Sequence, residues 1–234
     1  MTVFEMRVQI LGTRGHIEAT APGHQLHAGV LIDDVLFDLG ERQYLDLKPR
    51  VVFITHLHED HAFFVNDPEA RPEPPIYAPQ GWEGFPINVI RSTVEVDGMR
   101  VTPVPTNHSV AVRSCAYLIE KDLARVLYTG DLISIQERYR HRLPEVDLII
   151  TDGSFMRHGG LVRRDERTGL PHGHTGIPDL VEFFSPFTKK IVFTHFGSWF
   201  YKDIPSAVQK VVALSGETKV SVAEDGTVIE VEVE

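Results

Sequence analysis

Short apolar segments separated by polar turns make up most of the chain. Alternating or continuous apolar residues predict strands over residues 7–11, 27–32, 35–37, 51–55, 76–78, 89–96, 100–105, 116–120, 125–128, 147–151, 190–194, 219–222 and 227–234. Several of these segments are apolar without interruption, as in strands that are buried on both faces. Helical periodicity predicts helices over residues 134–142, 177–184 and 205–214.

Polar turns suggest how some of these elements connect. The Asp33-Asp34 pair predicts a two-residue hairpin between the second and third strands. Glu224-Asp225-Gly226 predicts a closing hairpin near the end of the sequence. Because no repeat, low-complexity segment or linker divides the chain, we expect residues 1–234 to form a single domain.

Residues that can bind a metal follow the ends of several predicted strands. They are Asp38, His56, His108, Asp131 and His195. Side chains at strand ends are held by a rigid scaffold while they face a cleft, which is how catalytic sites are usually built. Core packing alone does not explain five such coincidences.

Candidate ligands are most closely spaced in the segment 56–61, which has three histidines and the carboxylate of Asp60 in six residues. Its metal-competent members are His56, His58, Asp60 and His61. Imidazole nitrogen and carboxylate oxygen are ligands that divalent metals prefer. The alternative is a polar turn whose histidines are only solvated, but it leaves the matching residues farther along the chain unexplained.

Composition narrows the classes of function. The formal net charge of -10 argues against a protein that mainly grips a nucleic-acid backbone, since such binding needs a basic face. It is compatible with a small anionic substrate, because bound cations change the local field. Cys115 is the only cysteine, no apolar stretch is long enough for a membrane span, and no secretory signal is evident. We therefore expect a cytoplasmic protein.

In order and spacing, these residues resemble the signature of the metallo-β-lactamase fold superfamily. Asp38 is similar to its first motif, residues 56–61 to its second, His108 to its third, Asp131 to its fourth and His195 to its fifth. The resemblance covers almost the whole chain. It implies an α/β fold, the αββα sandwich of two mixed β-sheets flanked by helices, with a metal site at one edge.

The resemblance also implies two divalent metal ions, zinc with manganese or iron as alternatives. The ligands implied for the first ion are His56, His58 and His108. Those implied for the second are Asp60, His61 and His195, with Asp131 bridging both ions. Asp38 would accept a hydrogen bond that orients a ligand histidine or a backbone turn. True β-lactamases have a cysteine among their ligands, so antibiotic hydrolysis is not expected here.

Two later segments resemble the phosphodiesterase branches of the superfamily, which include tRNA 3′-processing endonucleases and a cyclic phosphodiesterase of phosphonate breakdown. They are residues 152–155 and 173–176. A histidine at the position of His174 is the proposed general acid in those branches, and His172 is a weaker candidate. The resemblance implies hydrolysis of a small or cyclic phosphodiester by a metal-bridging hydroxide, with Asp60, Asp131 and His174 as catalytic residues.

Two further features are candidate substrate contacts. Arg157, Arg163 and Arg164 lie in a basic segment, residues 156–168, which would suit a phosphate ester as a lid. The alternative is a solvated hairpin with internal salt bridges. His27 begins the predicted strand 27–32 and is a candidate to line the cleft.

Other functions stay open. A thioesterase or lactonase of the same fold, similar to glyoxalase II, would need no phosphate lid. A tRNA- or RNA-processing nuclease is disfavoured by the acidic charge and by the missing long basic arm. A non-catalytic metal-binding scaffold is disfavoured by the complete ligand set. The sequence leaves a homodimer open.

Overall fold

Two mixed β-sheets pack face to face in the computed structural model, which describes residues 4–67 and 69–232. The first sheet contains, in spatial order, β17 (Val228–Glu232), β1 (Phe4–Gly12), β2 (Gly29–Ile32), β3 (Val35–Phe37), β4 (Val51–Phe53), β5 (Ile76–Ala78) and β6 (Ile87–Val89). The second contains β11 (Ser134–Ile135), β8 (Met99–Asn107), β9 (Cys115–Lys121), β10 (Ala124–Tyr128), β12 (Leu148–Asp152), β15 (Lys190–Thr194) and β16 (Lys219–Val222), with β7 (Val94–Val96) beside β8.

Shorter elements cover the sheets. A separate hairpin pairs β13 (Leu161–Arg164) with β14 (Pro171–His174). The α-helices are α1 (Glu137–Arg140), α2 (Ile177–Phe184) and α3 (Ile204–Val212), and 3-10 helices span Arg42–Leu47, Phe63–Asn66 and Phe200–Lys202. None of the helices in the described residues has the length and apolarity needed to cross a membrane.

Strand β12 illustrates why the apolar segments are continuous. Its Leu148 and Ile150 pack in the core between the two sheets, whereas Ile149 packs in the outer core against the helices. Because successive side chains of a strand point to opposite faces, a strand covered on both faces needs apolar residues at every position. The first sheet follows the same rule, with Val30 and Ile32 facing inward and Leu31 outward.

The two outer layers differ. On the second sheet, α2 and α3 contribute Leu180, Phe184 and Val211 to the outer core. On the first sheet the corresponding cover comes from 3-10 helices through Tyr44 and Phe64. The predicted sandwich of two mixed sheets between helical layers is confirmed, and one of its layers is built from 3-10 rather than α-helical turns.

Most predicted strands are confirmed, and so is the hairpin at Asp33-Asp34, where β2 pairs antiparallel with β3. The predicted helix over residues 134–142 is wrong in its first part. Ser134 and Ile135 form β11 because they pair with Asn107 and Thr106 of β8, so only Glu137–Arg140 is helical.

Two other strand predictions are wrong because tertiary pairing separates neighbours in the sequence. The predicted strand 89–96 is divided between β6 in the first sheet and β7 in the second. The closing hairpin does not form, since β16 pairs parallel with β15 and β17 pairs antiparallel with β1 in the other sheet. Residues 233–234 of the last predicted strand lie outside the described residues.

Candidate metal centre

The candidate residues meet because their strands end at one edge of the two sheets. Strands β3 and β4 run parallel, as do β10, β12 and β15. Parallel strands present their carboxyl ends at the same edge, where α/β proteins usually bind ligands. Asp38, His56, Asp131 and His195 follow four of these ends, and Asp152 is the last residue of β12.

Several residues at this edge of the sheets have positive φ angles. Asp38 and His195 have φ angles of 60° and 57°, which non-glycine residues rarely adopt and which cluster at functional sites. Gly130, directly before Asp131, has φ 56°, and a Cβ there would lie 2.5 Å from Oγ1 of Thr55. The turn that aims Asp131 therefore requires a glycine.

Three histidines form the first cluster. Nε2 of His56 lies 3.0 Å from Nδ1 of His58, which in turn lies 3.4 Å from Nε2 of His108. Burial, reinforced by the neighbouring imidazoles, lowers the pKa of His56 well below its ordinary value and that of His58 to about 4. Burial also lowers the pKa of His108. The cluster is thus a set of neutral imidazoles, the form that binds metals.

Asp60, His61 and His195 form the second cluster. Oδ2 of Asp60 lies 2.9 Å from Nε2 of His195 and 3.7 Å from Nε2 of His61. Burial opposes a charge on both rings, but the neighbouring carboxylates, led by Asp131, outweigh it. They raise the pKa of His61 well above its ordinary value and that of His195 to about 10. The carboxylates around the second cluster thus favour a positive charge at this position.

Asp131 lies between the two clusters with one oxygen toward each. Its Oδ2 is 3.7 Å from Nε2 of His56 and 3.5 Å from Nε2 of His108. Its Oδ1 is 3.1 Å from Nε2 of His61 and 3.2 Å from Nε2 of His195. A carboxylate in this position can donate electron pairs to two cations at once.

The donor set fits divalent metal ions. Ligand atoms of the first cluster and Asp131 lie within 4.8 Å of one another, and so do those of the second cluster. Among the described residues, Nε2 of His61 and Oδ1 of Asp131 are buried and lie 3.1 Å apart, yet neither makes a hydrogen bond of acceptable angle. Buried polar atoms normally have partners, so these two atoms fit a bound cation better than a packed core.

Asp38 supports the candidate metal centre through hydrogen bonds. Its Oδ2 is 2.7 Å from Nδ1 of His61 and accepts a 2.7 Å hydrogen bond from the hydroxyl of Tyr128. Its Oδ1 accepts from the backbone N–H of Thr55, also at 2.7 Å. Asp38 thus orients both a candidate ligand and a backbone turn, as expected from the sequence. Such supporting contacts fix ring orientation and increase the basicity of metal ligands.

Asp152 begins the segment 152–155 that carries the phosphodiesterase resemblance, but the sequence alone assigned it no role. Its Oδ2 lies 2.7 Å from Nδ1 of His174, and its Oδ1 accepts from the N–H of Ser154 at 2.8 Å. It belongs to a third metal-competent group with Asp131, His174 and His195. The signal was available, because Asp152 follows a predicted apolar strand as the other candidates do.

A cavity of about 400 Å³ opens onto these clusters. The histidines and carboxylates of its lining, which we call the polar wall, include His58, Asp60, His108, Asp131, His174 and His195. A larger cleft of about 930 Å³ runs along β8 near Arg113 and Tyr139, but it includes no candidate ligand. Size alone therefore does not locate the site.

The remaining candidates lie outside the lining of this cavity. Arg157 donates from Nε to the carbonyl of Gly160, and Arg163 and Arg164 are exposed on β13. His27 precedes β2, which begins at Gly29 rather than at residue 27, and its Nδ1 lies 2.8 Å from Oε1 of Glu41. These positions give no direct contact with the polar wall.

Comparison with known proteins places the chain in a family. A family model described as the beta-lactamase superfamily domain matches residues 40–196. No curated protein matches the chain by sequence.

Solved structures share the fold across nearly the full length of both chains. The metallo-beta-lactamase fold protein YhfI from Bacillus subtilis is 19% identical, with a TM-score of 0.73 over 97% of this chain and 100% of that one. A diphosphatase of the PhnP family is 16% identical, with a TM-score of 0.66 over 96% and 97%. The short form of human tRNase Z is 19% identical, with a TM-score of 0.66 over 97% and 100%. The chain therefore belongs to the beta-lactamase superfamily and has the metallo-beta-lactamase fold.

Proposed function

We propose that this protein is a dinuclear metal-dependent hydrolase that acts on small or cyclic phosphodiesters. The observation that carries the proposal is the position of Asp131, which presents one oxygen to each of two ligand clusters at the floor of a cavity. The names of two structural neighbours, a diphosphatase and a tRNase, agree with phosphate chemistry.

The ligands we propose for one cation are His56, His58 and His108, and for the other Asp60, His61 and His195, with Asp131 shared. We propose zinc, because imidazole with carboxylate suits it, and manganese or iron would suit the same donors. Paired divalent cations activate a water molecule for attack and neutralise charge that grows on the phosphoryl oxygens.

The protein's own residues supply the proton for the leaving group. Asp152 holds Nδ1 of His174 at 2.7 Å, so Nε2 is the ring atom left to meet a substrate. His174 lines the cavity beside Asp131 and His108. A general acid must reach the leaving oxygen within hydrogen-bond distance, and a histidine held by a carboxylate is a common solution. As the P–O ester bond breaks, Nε2 of His174 would protonate the leaving oxygen.

The dimensions of the cavity favour a small substrate. About 400 Å³ lies at the lower end of the range for sites that bind small molecules. The acidic chain gives little attraction for a long polyanion. We therefore propose a compact anionic ester rather than a nucleic acid, and a reducing compartment such as the cytoplasm, since Cys115 is a buried free thiol.

The test is hydrolysis of bis(p-nitrophenyl) phosphate by protein of measured metal content, beside a thioester and a lactone at the same metal loading. The matched control is a His56→Ala/His58→Ala variant. We expect metal-dependent phosphodiester cleavage that the control loses. Acyl cleavage without phosphodiester cleavage would contradict the proposal and favour a thioesterase or lactonase, and cleavage of tRNA precursors alone would favour a processing nuclease.

A further inference from the structure

The cavity also has an apolar part of its lining that the proposed reaction does not use. It is formed by Ile17, Phe155, Leu161 and Trp199. We call these four side chains the apolar wall. A bare phosphate group would leave their apolar surface facing water, which is unfavourable by roughly 25 cal/mol for each Å² that a ligand could have covered.

The apolar wall is held in a defined shape. Nε1 of Trp199 donates a 3.0 Å hydrogen bond to the carbonyl of Gly153, which fixes the plane of the indole. The segment that carries Ile17 is tied to the strand-end residue Phe196, since Gly15 donates to its carbonyl at 3.1 Å. Preorganised aromatic surface binds a ligand without an added ordering cost.

Two members of the apolar wall flank the proposed proton donor. Leu161 pairs directly with His174 across the β13–β14 hairpin. The ring centroid of Phe155 lies 5.9 Å from that of His174. A substrate group that contacts these two side chains would lie next to His174. It would therefore belong to the alcohol whose oxygen His174 protonates.

We propose that the apolar wall binds an aromatic ring on the leaving group, so that the substrate is a compact phosphodiester with an aryl or arylalkyl alcohol. The proposal rests on the proposed function and names its substrate class. Aromatic pairs add stabilisation beyond the area that they bury, which favours a ring over an alkyl chain against Trp199 and Phe155. A diphosphate or polyphosphate without a ring would make no use of this surface.

Phosphonates test the wall independently of turnover. Phenylphosphonate and methylphosphonate carry the same anionic group. The ratio of their dissociation constants for the metal-loaded protein therefore measures how much the ring contributes to affinity. We expect phenylphosphonate to bind at least about tenfold more tightly, and the preference to fall to threefold or less in Trp199→Ala. The affinity for methylphosphonate should stay within about twofold in that variant.

The two tryptophans of the chain supply a matched spectroscopic control. Trp82 is 37% exposed and lies outside the cavity. In Trp82→Phe, where Trp199 is the remaining tryptophan, phenylphosphonate should change the fluorescence in a saturable manner. In Trp199→Phe, where only Trp82 remains, the same titration should leave the fluorescence unchanged.

The outcomes separate the two proposals. Three results would overturn the proposed binding of an aromatic ring by the apolar wall, even if phosphodiesters were hydrolysed. They are equal affinity for both phosphonates, binding of neither, and an unaltered preference in Trp199→Ala. A phenyl preference that depends on Trp199, found together with no phosphodiester turnover, would overturn the proposed function. It would still support binding of an aromatic ring by the apolar wall.

Discussion

The polar wall and the apolar wall of the cavity are built in different ways. Asp131 and His195 of the polar wall follow buried strands of the sandwich, whereas His174 ends β14 of the small hairpin, where Asp152 at the end of β12 holds it. The apolar wall draws Ile17, Phe155 and Trp199 from separate connections and Leu161 from the small hairpin. The candidate metal ligands thus lie at or shortly after the ends of sheet strands, whereas the surface that would select a substrate lies on connections and on the hairpin, which differ more readily between relatives.

The difference predicts distinct effects of mutation, and Asp131 should show the largest. Asp131→Ala removes the carboxylate shared by both clusters, so we expect turnover to fall to background and bound metal to drop from about two ions to one or fewer per chain. Elemental analysis and turnover of bis(p-nitrophenyl) phosphate measure both effects. The exposed Asp46→Ala is the control. Full metal content with normal turnover in Asp131→Ala would contradict the shared position.

His174 should affect chemistry without affecting metal content. His174→Ala removes the proposed proton donor, and we expect kcat to fall by about 10²–10⁴-fold while both ions remain bound. The neighbouring His172→Ala, on the same strand β14 but outside the cavity lining, should change kcat less than about threefold. A larger loss in His172→Ala than in His174→Ala would reverse the assignment.

The Leu161→Ala variant tests whether the apolar wall affects the choice of substrate without affecting the metal site. In Leu161→Ala we expect kcat/KM for an aryl phosphodiester to fall about tenfold, because the ring loses apolar contact. For a dialkyl phosphodiester it should stay within about twofold, and metal content should not change. The exposed Val162→Ala on the same strand is the control. Equal losses for aryl and alkyl substrates would mean that Leu161 supports the polar wall instead.

Tyr128 lies in the core between the sheets and supports the second ligand cluster through Asp38. Tyr128→Phe deletes the hydroxyl that donates to Asp38, which itself holds His61. We expect unfolding free energy to decrease by about 1 kcal/mol and metal affinity to weaken up to about tenfold. Thermal unfolding and competitive metal titration measure these effects, with Tyr139→Phe as the control. Unchanged metal affinity would limit Tyr128 to a packing role.

Arg163 and Arg164 should have the smallest effect. Both are exposed and outside the cavity lining, so Arg163→Ala and Arg164→Ala should change KM for a small phosphodiester less than about twofold. Steady-state kinetics at two salt concentrations measure this. A KM increase above tenfold would support the basic lid that the sequence suggested.

The sequence predicted the polar wall well because strands and ligands share one signal. An apolar run predicts a strand, and a histidine or carboxylate within three positions after it, as at Asp131 and His195, is placed at the sheet edge. Asp152 could be found by the same rule. These positions required no knowledge of distant contacts, because the parallel strands β10, β12 and β15 align their carboxyl ends.

The errors have a common physical cause, since tertiary pairing decides elements that local pattern leaves ambiguous. Residues 134–135 carry helical periodicity but pair with β8, and β16 and β17 are adjacent in sequence yet join different sheets. The apolar wall was equally hidden. Ile17 and Trp199 are ordinary apolar residues in irregular segments, and only the folded chain brings them to one cavity.

The central claim is that Asp131 joins two metal-binding clusters in one site. The most direct measurement is anomalous diffraction at the absorption edge of zinc from crystals of the zinc-loaded protein. We predict two anomalous peaks, one beside His56, His58 and His108 and the other beside Asp60, His61 and His195, with the carboxylate of Asp131 between them. A single peak, or peaks away from Asp131, would contradict the claim.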